Sequence, residues 1–289
     1  MVDKHSPIGV IGAGQMGSGI AQICAANGYQ VIIVDTLPDG LNKAKSQITK
    51  SLEKFVHQGN ITAVAKSEIL ARMSTTTELE AIKGCKLIIE AVPESESIKK
   101  SILSQLPALL SHDAVVCSNT SSLSITQLGG FYTRPQKLVG LHFMNPVPIM
   151  PLVELIRGLA TDDHAVETAF EFATSLGKTV VECHDSPGFV VNRLLIPMIN
   201  EAIFLLYEGV ASTEDIDEAM RLGTSHPMGP LELADLIGLD TCLAIMKRLY
   251  EGFHDPKYRP CPLLTQYVDA GLLGRKTQKG FYDYTVNQA

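Results

Sequence analysis

The sequence predicts a doubly wound α/β domain with a mostly parallel sheet, followed by an all-helical domain. Three observations lead there. Short apolar runs alternate with helix-length segments up to about residue 180, a glycine-rich turn follows the first of these runs, and beyond residue 185 only helical patterns remain. Strand and helix in alternation make βαβ units and hence a parallel sheet. The length of 289 residues suits two domains, because single cores rarely keep growing past about 250 residues.

Residues 8–11 form the first strand, followed by the glycine turn and a helix over about 15–27. Residues 30–34 are a second strand, with helical stretches at about 39–58 and 62–72. Further strands are expected at 87–90, 115–118 and 138–142, with intervening helices at 98–110 and 124–128. The segment 185–188, Asp-Ser-Pro-Gly, reads as a linker and helix start, with a capping residue just ahead of proline. Helices then follow at about 188–208, 213–222, 230–237, 239–251 and 262–271. The expected domains are 1–185 and 186–289.

Composition narrows the functional classes. A chain that is 45% hydrophobic and 19% charged is globular, not disordered. Mean hydropathy is +0.14, yet no run of about 20 apolar residues is long enough to span a bilayer. The richest run, 189–206, is broken by Asn192, Arg193, Pro197, Asn200 and Glu201. Residues 1–7 are polar and lack the apolar core of a signal peptide, so a soluble, cytoplasmic protein with no membrane partner is expected. A net charge of −7 argues against a nucleic-acid partner. The six cysteines contain no CxxC pair, which predicts neither a zinc cluster nor a disulfide framework, but reduced thiols and no metal.

Gly12-Ala13-Gly14-Gln15-Met16-Gly17 lies directly after the first strand and opens a helix. In that context GxGxxG is the dinucleotide fingerprint of a Rossmann-type domain. Gly12 permits the tight turn, Gly14 lets a pyrophosphate approach the backbone, and Gly17 lets the helix pack on the sheet. The helix N-terminus adds oriented N–H donors and partial positive charge. Asp35 ends the second strand, 18 residues past Gly17. A carboxylate there accepts both ribose hydroxyls and repels a 2′-phosphate, which favours NAD over NADP.

Ligands of open α/β sheets bind at the carboxyl ends of the strands. After the strand at 115–117 comes Ser118-Asn119-Thr120-Ser121-Ser122, too polar for core; as a bare pattern it is equally a turn capping the next helix. His142 ends the strand that starts at Leu138, ahead of Asn145-Pro146-Val147-Pro148. Residues 152–156 read as a returning strand, and twelve residues across such a turn would bring Glu154 back beside His142. A carboxylate bonded to one ring nitrogen fixes the tautomer and raises the basicity of the other. A lone histidine is more often structural; the flanking motif and the acidic partner reverse that preference here. Asn192 and Arg193 interrupt an apolar helix, so Asn192 either faces a ligand or is a capping or interdomain amide. Lys43, Lys50 and Lys54 share one helix face with Ser51 beside them. Spacing alone favours a solvated face, but the row also suits an anionic carrier.

Eight segments together resemble one family. VIGAGQMGSGIA (10–21), IIEAVPE (88–94), SNTSSL (118–123), GLHFMNPVP (140–148), LVELI (152–156), DSPGFVVNRLL (185–195), HPMGPLELADLIGLD (226–240) and GRKTQKGFYDY (274–284) occur in the order and context of the L-3-hydroxyacyl-CoA dehydrogenases, in their short bacterial form. The resemblance implies interconversion of (S)-3-hydroxyacyl-CoA and 3-oxoacyl-CoA with NAD, the short form suggesting 3-hydroxybutyryl-CoA and acetoacetyl-CoA. It implies His142 as general acid/base on the 3-oxygen and Glu154 as its orienting carboxylate. Ser121 and Asn192 would hydrogen-bond the reacting oxygen or thioester, Ser121 also lying near the nicotinamide. Glu94, Lys99, Asn145 and Lys276 would join Asp35 and the glycine turn around NAD, and Ser51 would contact CoA. A CoA-contacting lysine of some members falls at Gln58 here, leaving Lys50 or Lys54 for that role. A homodimer through the C-terminal helices is also implied. The competing readings are an NAD-dependent sugar-acid dehydrogenase on the same scaffold, a non-catalytic NAD-binding protein, and a protein-interaction module.

Overall fold

The computed structural model describes residues 6–285. The chain divides after Ser186 into two compact units. In the first, β1 (Ile8–Ile11) leads to α1 (Gln15–Ala26), β2 (Val31–Val34), α2 (Pro38–His57), α3 (Ala63–Ala71) and β3 (Met73–Thr76). Then come β4 (Leu87–Glu90), α4 (Glu96–Leu109), β5 (Val115–Ser118), α5 (Ile125–Gly129) and β6 (Leu138–Phe143). The unit ends with β7 (Leu152–Arg157), α6 (Asp163–Ser175) and β8 (Thr179–His184).

These strands form one sheet in the order β3-β2-β1-β4-β5-β6-β7-β8. From β3 to β6 every pairing is parallel; β7 runs antiparallel to β6, and β8 is parallel to β7. The inner strands IGVI, LIIE and VVCS are buried along their whole length, as parallel strands covered on both faces must be. Chain order reverses at β1, with β2 on one side and β4 on the other, which makes the carboxyl ends of β1 and β4 the topological switch point. Helix α2 buries Leu41, Ala44, Ile48 and Leu52 on one face, while Lys43, Lys50 and Lys54 stand exposed on another.

Three elements depart from the sequence reading. The edge strands β3 and β8 have the sequences MSTT and TVVECH and are largely half-buried or exposed, so neither carries the continuous apolar run of a central strand. Helix α6 packs Ala165, Val166, Ala169, Phe172 and Ala173 inward, and Asp162 caps it by accepting the Ala165 N–H at 2.7 Å. Its cap and its 3–4 residue spacing were visible signals, diluted by small residues.

The second unit holds α7 (Val191–Tyr207), α8 (Thr213–Thr224), α9 (Pro230–Ile237), α10 (Leu239–Phe253) and α11 (Pro262–Asp269). They enclose a core that includes Ile199, Ile203, Leu231, Met246 and Leu249. Helix α9 starts at Gly229 without a side-chain cap of its own; Asp217 of α8 supplies it, accepting the Leu231 and Glu232 N–H groups at 2.8 and 2.9 Å. Among the described residues no helix is long and apolar enough to cross a membrane.

Candidate active site

The glycine turn sits at the switch point. Gly12 has φ +106°, and a Cβ there would lie 2.5 Å from the Ala91 carbonyl oxygen. A Cβ on Gly17 would lie 1.9 Å from the Gly12 oxygen, so both positions exclude any side chain. Gly14 is the opposite case: a Cβ there would meet nothing within 4 Å, which leaves open space over the turn for a ligand. The first turn of α1 has no side-chain cap and no acidic residue, so its N–H groups and positive pole suit a phosphate. Asp35 accepts the Ala13 N–H at 2.8 Å on one oxygen and the Leu37 N–H at 3.0 Å on the other. The carboxylate thus braces the turn and retains lone pairs for ribose hydroxyls. These residues fit a pyrophosphate-linked dinucleotide.

The ends of β4 and β5 carry the next group. One oxygen of Glu94 accepts the Thr120 hydroxyl at 2.6 Å, the Ser121 N–H at 2.9 Å, and both the N–H and the hydroxyl of Ser122 at 2.9 Å. Its other oxygen lies 3.5 Å from the Lys99 ammonium. Burial alone would raise the Glu94 carboxyl; Lys99 and the hydrogen bonds from Thr120, Ser122 and Ser121 overcome that and hold it below the usual range. Ser121 is therefore set on a turn wound around an ionised carboxylate. Lys99 is buried, and its ammonium also meets both oxygens of Glu90.

His142 lies on β6 and Glu154 on β7, directly opposite in the antiparallel register. Nδ1 of His142 is 2.8 Å from Oε2 of Glu154, and both residues are buried. With Glu154 as the carboxylate, Nδ1 carries the hydrogen and donates it. Asn119 holds the strand end in place: its side-chain oxygen accepts the Phe143 N–H at 2.9 Å. Past the strand, Gln15 of α1 donates to the Asn145 side-chain oxygen at 3.1 Å, tying that loop to the glycine turn. The turn, Glu94, Ser121, Asn145 and the His142–Glu154 pair thus lie along the carboxyl end of the sheet.

Family models match both units. Residues 7–186 match the 3-hydroxyacyl-CoA dehydrogenase NAD binding domain, and residues 188–284 match the 3-hydroxyacyl-CoA dehydrogenase C-terminal domain. The chain belongs to the 3-hydroxyacyl-CoA dehydrogenase family. It is an NAD-dependent oxidoreductase, and its first unit is that family's NAD-binding domain. A 3-hydroxybutyryl-CoA dehydrogenase of Bradyrhizobium diazoefficiens is 54% identical over 277 residues, covering 96% of this chain and 94% of that protein. One of Clostridioides difficile is 50% identical over 277 residues, covering 96% and 99%. The crystal structure of (S)-3-hydroxybutyryl-CoA dehydrogenase from Ralstonia eutropha superposes with a TM-score of 0.94 at 46% identity, covering 96% of this chain and 99% of that one.

Of the other expected site residues, two belong to the second unit and three to α2. Asn192 is in the first turn of α7, and Lys276 lies in a short 3-10 segment where its ammonium pairs with Asp240. Lys50 and Lys54 are exposed on α2 and Ser51 is half-buried beside them. Three residues that shape the site were not singled out from the sequence. Asn119 was hidden inside a polar run. Glu90 has only the signal of a lone carboxylate closing an apolar strand. Lys178, buried just before β8, donates to the carbonyls of Val147 at 2.6 Å and Met150 at 2.8 Å, and burial lowers its pKa. Its partners lie 28 and 31 residues away, beyond any local pattern.

Proposed function

We propose that this dehydrogenase interconverts (S)-3-hydroxybutyryl-CoA and acetoacetyl-CoA, with His142 as the acid/base and Glu154 as its orienting carboxylate. The observation that carries the reading is the 2.8 Å contact between His142 Nδ1 and Glu154 Oε2 at the end of the sheet where the glycine turn opens. In the oxidative direction His142 Nε2 takes the proton from the 3-hydroxyl, while Glu154 balances the charge arriving on the ring. When bound, NAD⁺ supplies the acceptor for the hydride from C3. In the reductive direction Nε2 returns the proton to the 3-oxygen. Ser121 and Asn192 donate to the reacting oxygen or the thioester. Asp35, Glu94, Lys99, Asn145 and Lys276 hold the dinucleotide together with the glycine turn.

The substrate class is supported by the names of the similar proteins from Bradyrhizobium diazoefficiens and Clostridioides difficile. For the CoA portion the support is the exposed row of Lys50 and Lys54 with Ser51 alongside. A homodimer through the helical unit belongs to the same reading; Leu194 and Leu222 there are 70% and 76% exposed. The decisive experiment follows NADH oxidation by the purified protein with acetoacetyl-CoA, beside NADPH and beside His142→Ala. Rapid turnover with NADH, little with NADPH and none in the variant is expected. Tight NADH binding without turnover of acetoacetyl-CoA or a longer 3-oxoacyl-CoA would refute the substrate assignment.

A further inference from the structure

Glu90 closes β4 with a carboxylate that is 0% exposed. Three groups supply it with hydrogen bonds. The Lys99 ammonium reaches its two oxygens at 2.7 and 2.9 Å, the Ser118 hydroxyl donates at 2.6 Å, and the Val92 N–H donates at 2.9 Å. A buried ion pair of this kind adds little net stability, since desolvation offsets most of the attraction. Its placement is the more informative property. Lys99 also faces Glu94 at 3.5 Å, and Glu94 in turn gathers Thr120, Ser121 and Ser122. Ser118 is the residue from which that same turn leaves β5. Both the start of the turn and the carboxylate it winds around are therefore referenced to one buried group.

We propose that Glu90 is a positioning residue for the cofactor end of the sheet, acting through Lys99 on Glu94 and through Ser118 on the turn that presents Ser121. The inference rests on the reading that Glu94 and Ser121 serve NAD. Its physical basis is competition for one ammonium. Glu90 holds Lys99 at short range, so Glu94 feels its charge at a distance and keeps an oxygen for the turn. Without the Glu90 charge, Lys99 transfers wholly to Glu94 and draws that carboxylate towards α4, away from residues 120–122. A glutamine at position 90 would make this worse, because its amide turns a donor towards the ammonium.

The test uses the full chain and NADH fluorescence to measure binding, with steady-state kcat and KM alongside. Glu90→Gln should weaken NADH binding on the order of tenfold, or about 1.4 kcal/mol, and, through Ser121, raise the KM for acetoacetyl-CoA by a smaller factor. Glu90→Asp, which keeps the charge one methylene short, should recover part of the loss. Ser118→Ala, which removes only one donor, should give a smaller loss of the same selectivity. A folded Glu90→Gln protein with wild-type NADH affinity overturns the proposal, as does equal loss for NADH and acetoacetyl-CoA. If Glu90→Gln does not fold, Ser118→Ala decides, and wild-type NADH affinity there overturns it. Failure of the unaltered protein to bind NADH would instead sink the dinucleotide reading on which this rests.

Discussion

His142 and Glu154 are cross-strand partners in the antiparallel rung between β6 and β7. Side chains directly opposite in such a pair point to the same face of the sheet. The sheet register itself therefore delivers the carboxylate to the imidazole, at 2.8 Å, without help from a flexible loop. Slipping β7 by one residue would send Glu154 to the other face. The reversal of strand direction at β7 thus has a chemical consequence: β7 starts at the carboxyl end where β6 stops, which sets Glu154 beside His142 twelve residues on.

His142→Ala removes the imidazole proposed as acid/base and should lower kcat by about 10²–10⁴, with NADH affinity preserved. Glu154→Gln keeps the shape but not the charge, and should lower kcat with little change in either KM. Steady-state kinetics of both variants across pH checks this. A fully active Glu154→Gln protein at every pH would remove Glu154 from the mechanism.

Asp35 braces the glycine turn through Ala13 and Leu37, and it is the residue proposed to read the adenosine ribose. Asp35→Ala should raise the KM for NADH selectively and narrow the preference over NADPH. Measuring both coenzymes beside acetoacetyl-CoA separates this from general misfolding, which would raise all three KM values together.

Gly14 and Gly17 are three residues apart and should answer differently to the same methyl group. Gly14→Ala has open space around its Cβ, so the protein should fold with a near-native melting temperature yet bind NADH poorly. Gly17→Ala forces a Cβ to 1.9 Å from the Gly12 oxygen and should destabilise the first unit outright. Thermal melts and NADH titrations of both variants make the comparison. A Gly14→Ala protein that binds NADH normally would mean the open space is not where the pyrophosphate lies.

Much of this architecture is legible in sequence because of what burial demands. Central parallel strands such as LIIE and VVCS must be apolar on both faces, so they read as unbroken runs. The edge strands MSTT and TVVECH face solvent along part of their length and give no such run. At the site, His142 and the 118–122 turn announce themselves by sitting at strand ends, where polarity needs a reason. Glu90 and Lys178 do not, because their meaning comes from partners in other elements. A lysine that caps two carbonyls about thirty residues away looks, in one dimension, like any surface lysine.

Glu94 makes the acid limb of stability predictable in sign. Its carboxyl is held below the ordinary value in the folded protein, with Lys99 and the turn's hydrogen bonds outweighing burial. Its contribution is therefore complete above the unfolded value of about 4.3 and is lost as pH falls through the folded one. The difference in melting temperature between the wild type and Glu94→Gln should be constant from pH 8 to 5 and shrink only below that. A difference that already collapses between pH 8 and 6 would show that another group governs it.

Asp235 fastens the C-terminal segment to α9. Its carboxylate accepts the Phe281 N–H at 3.0 Å, the Tyr282 N–H at 2.9 Å and the Tyr284 hydroxyl at 3.1 Å, and a Cβ at Gly280 would lie 2.0 Å from its Oδ1. Burial, with the nearby charge of Asp217, raises its carboxyl pKa despite those three bonds. Asp235→Asn offers one acceptor oxygen where two were used and turns an amide donor against an N–H. The loss should be about 1–3 kcal/mol at neutral pH, the cost of a buried donor left unsatisfied. The sign of its pH dependence is opposite to that of Glu94. A raised carboxyl pKa favours the folded state more as pH falls, so the wild type should gain on Asp235→Asn between pH 7 and 4. Thermal melts across that range test the sign, and limited proteolysis of residues 274–284 tests the location. A gap that narrows towards pH 4 would mean that the ionised carboxylate, and not its protonated form, is what the segment prefers.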